Sequence, residues 1–202
     1  MNFWKGVNNL AINFRVISLI ILSATTSSAI ADNYYGAFDL GQSTVNDLCT
    51  GLSAGLSGCN DRASLMRFAG GYQFTSIWGA EASYGAYNKE SLGSGYGVTA
   101  DWQMKILQLS GTETVPITGV SGLSLIAKFG IAHIEYKSSG AAFIGGSYRA
   151  TRDQAALGLG FQYDLTKNIS ARAQYEDLGN VGDSKMGTYK ATQLSAGIVY
   201  KF

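Results

Sequence analysis

The chain has 202 residues, with 26 glycines, 12 tyrosines, one proline and only 14% charged residues. Because 15 Lys and Arg stand against 14 Asp and Glu, the sequence has neither the high net charge of a disordered chain nor the basic excess of a nucleic-acid-binding protein. It also lacks the repeated apolar runs of about 20 residues that a helical membrane protein requires, so β-structure is favoured.

Residues 1–31 have the parts of a secretory signal peptide in the expected order. Lys5 and Arg15 come first, a mostly apolar run of nine residues follows from Val16 to Ala24, and Ala29-Ile30-Ala31 forms an A-x-A cleavage site. The apolar run is too short to cross about 30 Å of hydrocarbon as a helical anchor. We therefore expect cleavage before Asp32 and a mature domain over residues 32–202.

The two cysteines of the chain are expected to form a disulfide. Cys49 and Cys59 lie in a Gly/Ser/Asn-rich segment, and an exported protein meets an oxidising compartment. A metal site would need further ligands, and the single histidine, His133, is distant in sequence. No metal or cofactor is predicted.

The rest of the chain alternates apolar and small or polar residues with the period of two that is typical of β-strands. The regularity is lost after Leu107, which predicts a bulge or a register change in that strand. Short connections near 75–76, 116–119 and 164–168 alternate with long ones at 46–63, 88–97, 139–147 and 179–188. Eight strands are predicted, over residues 34–45, 64–74, 78–87, 98–115, 123–137, 152–163, 169–177 and 191–202.

An even strand number with alternating short and long connections is the organisation of an antiparallel up-and-down transmembrane β-barrel. The signal peptide would place both termini on the periplasmic side and the four long loops outside. The interior of eight strands has room only for side chains, so the small and charged set is assigned to the lumen and the apolar set to lipid. The alternative is a soluble sheet with separate solvated charges. The predicted lumen ion-pair network comprises Asp39, Arg67, Glu81, Asp101, Lys105, Lys128, Arg152, Arg172 and Glu176.

Three segments resemble the transmembrane domain of the OmpA family: Gly158–Asp177 followed by Gly182-Asp183, Leu194–Phe202, and Tyr34–Gly41. The resemblance implies an eight-stranded barrel in the cell outer membrane, in contact with outer-membrane lipids and lipopolysaccharide. It further implies that Tyr200 and Phe202 form a C-terminal insertion signal for the barrel-assembly machinery. The periplasmic domain of OmpA has no counterpart before the chain ends. The small relatives OmpX and Ail imply surface contacts, with host-surface or phage ligands at the loops.

Two alternatives to a structural or adhesion-type role follow from particular residues. His133 with Glu135 two positions later could form the base of a lipid-A-modifying enzyme, although this spacing is common by chance. A small, low-conductance pore is the other alternative, since charged side chains in a narrow lumen leave little continuous water. The expected protein is a non-enzymatic outer-membrane barrel with no catalytic residues.

Overall fold

Nine antiparallel strands contain most of the residues that the computed structural model describes, which are 33–46, 48–49, 60–95, 98–140, 147–183 and 187–202. The predicted signal peptide and Cys59 lie outside these residues. No helix in the described part is long and apolar enough to cross a membrane. The strands are β1 (Tyr34–Val45), β2 (Arg62–Gln73), β3 (Trp78–Tyr87), β4 (Glu90–Gly95), β5 (Val98–Pro116), β6 (Leu123–Gly140), β7 (Ser147–Asp164), β8 (Ile169–Asp183) and β9 (Gly187–Lys201).

Eight of these strands close into a barrel, which confirms the predicted fold class. Sequence neighbours pair around the sheet, β1 pairs with β9, and β3 closes the circle by pairing with β5 from Trp78↔Glu113 to Ala86↔Lys105. The additional strand β4 pairs only with the first residues of β5. It lies in a segment that the sequence analysis assigned to a long connection, 88–97.

The two ends of the barrel differ. At one end, here called the turn end, are both described termini and the short connections 74–77, 117–122 and 165–168. Two of these turns use the same local device: the Thr75 hydroxyl accepts hydrogen bonds from the N–H groups of Ile77 and Trp78, and the Thr166 hydroxyl does the same two and three residues on. At the opposite end, the loop end, β6–β7 and β8–β9 extend further than the alternation predicted.

The predicted alternation holds along seven of the eight barrel strands and is inverted over the first part of β5. Trp102, Met104 and Ile106, expected to face lipid, are 1%, 0% and 4% exposed, whereas Leu107 and Leu109 are 57% and 66% exposed. No register shift interrupts the pairing of β5 with β6, so the predicted bulge after Leu107 is wrong. Apolar residues change faces within a regular strand because the lumen itself changes from apolar to polar along its length.

Candidate functional site: the lumen and the rim at the loop end

Six buried charged side chains meet in the half of the lumen nearer the turn end, and the set is here called the charged layer. They come from β1, β2, β3, β6 and β8 and carry three formal positive and three formal negative charges. Each is at most 4% exposed. A buried charge without a partner is costly, so this balance is what allows all six to lie inside the barrel. The members are Asp39, Arg67, Glu81, Lys128, Arg172 and Glu176.

Two arginines connect the carboxylates of the charged layer. Arg172 donates to Asp39 through Nε and Nη2, at 2.8 and 2.7 Å, and to Glu81 through Nη1 at 2.6 Å. Arg67 donates to Asp39 at 2.9 Å and forms a second ion pair with Glu176. The planar fork of arginine suits this sharing of two carboxylates.

Lys128 completes the charged layer from β6. Its Nζ lies 2.6 Å from Oε1 of Glu81 and 3.7 Å from Oε1 of Glu176. Neutral groups that the sequence analysis did not select also take part: Tyr35 donates to Glu81 at 3.1 Å, and Arg67 donates to Ser195 at 3.1 Å. Their inward positions in the alternation of β1 and β9 were the available signal.

Three residues predicted for the lumen network lie elsewhere. Asp101 pairs with Lys89 at 2.7 Å near the loop end, and its side chain is 30% exposed. Lys105 is on the outward-facing alternation of β5, between the buried Met104 and Ile106. Arg152 faces inward, but its guanidinium donates to the backbone carbonyl of Gly182 at 3.4 Å rather than to a carboxylate. The cause is shared: the lumen near the loop end is not polar.

Apolar side chains fill the half of the lumen nearer the loop end, forming what is here called the apolar layer. Trp102 and Tyr136 stack there with ring centroids 6.0 Å apart and planes at 17°. Ile134 lies at an inward position of β6, between the outward-facing His133 and Glu135. An apolar residue at such a position is the sequence signal for this layer. Its members are Val45, Leu48, Ala63, Leu65, Tyr87, Trp102, Met104, Ile106, Ala132, Ile134, Tyr136, Ala156, Leu178, Val181 and Ala191.

The outer wall of the barrel is apolar, in contrast to the charged layer inside it. Large apolar side chains stand exposed around its outside, among them Phe68 at 58%, Leu159 at 62% and Leu194 at 62%. Contiguous apolar surface of this extent is incompatible with water and matches a lipid-facing band.

The sequence matches the family model described as "Outer membrane protein beta-barrel domain" over residues 14–202. The chain belongs to this family. Its apolar outer surface is therefore the face that the outer membrane covers, and the segments of the eight barrel strands that carry this surface are the membrane-spanning ones.

Solved structures of small surface barrels are similar to this chain. Neisserial surface protein A has a TM-score of 0.60 at 16% identity, covering 84% of this chain and 97% of its own. Ail of Yersinia pestis, in complex with the heparin analogue sucrose octasulfate, has a TM-score of 0.54 at 19% identity, covering 84% and 99%. The N-terminal barrel of Pseudomonas aeruginosa OprF has a TM-score of 0.51 at 20% identity, covering 84% and 98%. These likenesses concern the fold. The search of curated proteins gave no match.

Outward-facing residues of β5, β6 and β7 form rows that mark where the lipid-facing band of this outer-membrane barrel ends. Successive rows on a tilted strand are about 5 Å apart along the membrane normal. The last fully apolar row is Leu109, Ile131 and Ala155; toward the loop end it is followed by Leu107, His133 and Asp153, then by Lys105, Glu135 and Thr151, and then by Gln103, Lys137 and Arg149.

His133 lies on the outer wall, and its partner is not the expected Glu135. Its Nδ1 is 2.7 Å from Oδ1 of Asp153 on β7, whereas Glu135, the expected partner, forms ion pairs with Arg149 and, at 3.0 Å, with Lys137. Hydrogen bonding from Lys137 is the main cause that lowers the pKa of Glu135 from its ordinary value; burial opposes it and Arg149 adds to it. Asp153 could not be selected from the sequence, because the pairing register of β6 and β7 is what brings it to His133.

The remaining predicted site residues lie at the two ends of the barrel. Cys49, four residues after the end of β1, is disulfide-bonded, and its predicted partner Cys59 is outside the described residues. Tyr200 and Phe202 are both 48% exposed on the outer wall at the turn end, with ring centroids 5.3 Å apart. Within the described residues, no group of three or more His, Cys, Asp or Glu side chains is arranged to hold a metal ion.

Proposed function

We propose that this outer-membrane barrel is non-enzymatic and serves envelope integrity or adhesion-type surface contacts through its loop end. The observation that carries the proposal is the filled lumen: the charged layer and the apolar layer follow one another along the barrel axis. With the lumen filled, the surfaces available for interactions are the outer wall and the four connections at the loop end. The loop end is the end proposed to face outward.

The filled lumen argues against the low-conductance pore. An ion that crosses the barrel has to displace buried ion pairs in the charged layer and then pass side chains such as Trp102 and Met104, which are 1% and 0% exposed. Both steps are costly, because the first breaks compensated charges and the second removes the ion from water.

Processing and assembly are part of the proposal. Residues 1–31 act as a signal peptide, and Cys49 pairs with Cys59 after export. Tyr200 and Phe202 are the insertion signal that the barrel-assembly machinery reads. Outer-membrane lipids and lipopolysaccharide surround the wall, and host-surface or phage ligands bind at the loops. The similarity to Ail, which was solved with a heparin analogue, supports a ligand-binding loop end.

The test compares cells that produce the full-length protein with cells that produce a variant in which residues 138–148 are replaced by a short turn. Surface attachment, phage sensitivity and serum sensitivity are measured, with heat-modifiable migration on gels as the check that the barrel has folded. We expect a folded barrel with altered attachment or sensitivity. Unchanged phenotypes on shortening every outer connection, or a large steady conductance of the purified protein in planar bilayers, would contradict the proposal.

The second candidate is a lipid-A-modifying enzyme. The His133–Asp153 pair favours it, because a histidine held by a carboxylate is an arrangement that general bases use and it faces outward one row above the apolar band. Mass spectrometry of lipid A from wild-type and His133→Ala cells tests it.

A further inference from the structure

A cavity of about 340 Å³ lies at the loop end, where β5, β6 and β7 run side by side. Three cationic side chains, three serines, two aromatic residues and one glutamine line it, and none of the lining residues is acidic. The lining residues are Lys89, Trp102, Gln103, Lys137, Ser138, Ser139, Ser147, Tyr148 and Arg149.

We propose that this cavity binds a saccharide that carries a phosphate or sulfate group. The inference rests on the proposed function, because it takes the loop end to be the contact surface. It adds the class of ligand that this surface binds. The chemistry follows from the lining: the forked guanidinium of Arg149 and the ammonium of Lys137 suit the oxygens of such a group. The hydroxyls of Ser139 and Ser147 supply hydrogen bonds to sugar hydroxyls, whereas Ser138 is buried and donates to the backbone carbonyl of Asp101 at 3.1 Å.

Strand pairing places the two central cations next to each other. Lys137 on β6 is the register partner of Arg149 on β7, and their side chains are 44% and 60% exposed. Glu135 lies one row closer to the membrane and pairs with both. Lys89 enters from the β3–β4 connection and pairs with Asp101. The two acids lie outside the lining and contact all three cations, and three cations against two acids leave a net positive charge at the cavity.

The height of the cavity relative to the membrane fits the same ligand class. Lys137 and Arg149 are three rows above the apolar row that contains Ile131, which is roughly 15 Å along the membrane normal. This is the level of headgroups rather than of acyl chains. A phosphorylated saccharide of a neighbouring lipid and a sulfated glycan arriving from outside share the chemistry that the cavity recognises.

Two binding measurements on the full mature protein in phosphatidylcholine nanodiscs separate these sources. The first titrates a sulfated heparin hexasaccharide by calorimetry. The second adds lipid A, either phosphorylated or enzymatically dephosphorylated, and measures how much stays bound by native mass spectrometry. Four proteins are compared: wild type, the double variant Lys137→Gln with Arg149→Gln, Glu135→Gln, and Lys190→Gln. Lys190 is the matched control, since it pairs with Asp177 at 2.7 Å and is 55% exposed, but on β9.

We expect the double variant to bind roughly 25-fold more weakly, about fivefold for each cation removed, and Glu135→Gln to bind severalfold more tightly. Lys190→Gln should match wild type. Weakening in the lipid measurement alone assigns the site to phosphorylated lipid headgroups, and weakening in the hexasaccharide measurement alone assigns it to external glycans. Equal affinities of wild type and double variant in both measurements, or an equal loss for Lys190→Gln, overturns the proposal. If the saccharide proposal fails in this way, cells that produce the variant shortened at residues 138–148 should still show altered attachment or sensitivity. Failure of this proposal can therefore be distinguished from failure of the proposed function.

Discussion

Arg172 on β8 and Asp39 on β1 meet across the lumen through two parallel hydrogen bonds of 2.8 and 2.7 Å. β9 separates the two strands in the sheet, so the side chains join wall segments that share no ladder hydrogen bonds. Their side chains are 2% and 0% exposed. The pair therefore acts as an internal tie in the charged layer, and its energy depends on both charges being present.

Replacing one member of this tie should destabilise the barrel more than replacing both. Asp39→Asn or Arg172→Gln leaves an uncompensated buried charge, with an expected loss of about 3–5 kcal/mol in the free energy of unfolding. The double variant removes one charge of each sign, and Arg67 and Lys128 still face Glu81 and Glu176. Urea titration in lipid vesicles gives the free energy of unfolding of the wild type, the two single variants and the double variant. Losses that simply add in the double variant would contradict the pairing.

Period-two alternation was sufficient to predict the strands and most of the charged layer, because each strand has one lipid face and one lumen face. It failed where it was combined with the assumption that the whole lumen is polar. Asp101 and Lys105 were assigned to the lumen because they alternate with Trp102 and Met104, yet the apolar pair is what lies inside. The alternation along a strand divides its residues into two sets that face opposite sides of the sheet. Which set faces inward depends on whether the lumen is polar or apolar at that height.

The interactions between strands could be predicted even less well. His133 binds Asp153, and Lys137 is the partner of Arg149, only through the register of β6 against β7. That register is set by the β6–β7 hairpin as a whole, whose first strand runs to Gly140 and whose second begins at Ser147. The alternation of single residues predicts the start of that second strand only at residue 152.

Truncation of Trp102 should test which face of β5 points into the lumen. Trp102→Ala removes a side chain that is 1% exposed and stacked on Tyr136, so we expect a loss of about 3–5 kcal/mol in the free energy of unfolding. Lys105→Ala, on the outward alternation, should change it by no more than about 0.5 kcal/mol. Urea titration in vesicles tests both. A larger loss for Lys105→Ala than for Trp102→Ala would mean that Lys105 rather than Trp102 faces the lumen.

The pH dependence of anion binding should report on Glu135. Because its pKa lies below the ordinary value of 4.5, its carboxylate stays ionised at neutral and mildly acidic pH and is protonated only below that value. Wild-type affinity for the sulfated hexasaccharide, which keeps its charge in acid, should therefore rise below about pH 4.5 and approach that of Glu135→Gln. A constant ratio of the two affinities at all pH values would rule out this role of Glu135.

The disulfide at Cys49 should involve Cys59, the only other cysteine in the sequence. Closing so short a loop restricts the unfolded chain, so Cys49→Ser with Cys59→Ser should cost roughly 2.5–3 kcal/mol. Thiol labelling of the unfolded protein should find no free thiol before reduction and both after it. Labelling of both cysteines without reduction would refute the bridge.

His133→Ala should leave the lipid A of producing cells unchanged in mass. The histidine lies at the edge of the apolar band, one row above Ile131 and opposite Leu107, where an imidazole suits the polar–apolar boundary. Asp153 holds it at 2.7 Å, but both side chains are left uncovered by the protein, at 53% and 72% exposure, whereas catalytic groups are normally enclosed where electrostatic effects are strong. Mass spectrometry of lipid A from wild-type, His133→Ala and Asp153→Asn cells makes the comparison. A modification present in wild type and lost in both variants would establish the enzyme, and it would make the His133–Asp153 pair the functional centre in place of the loop end.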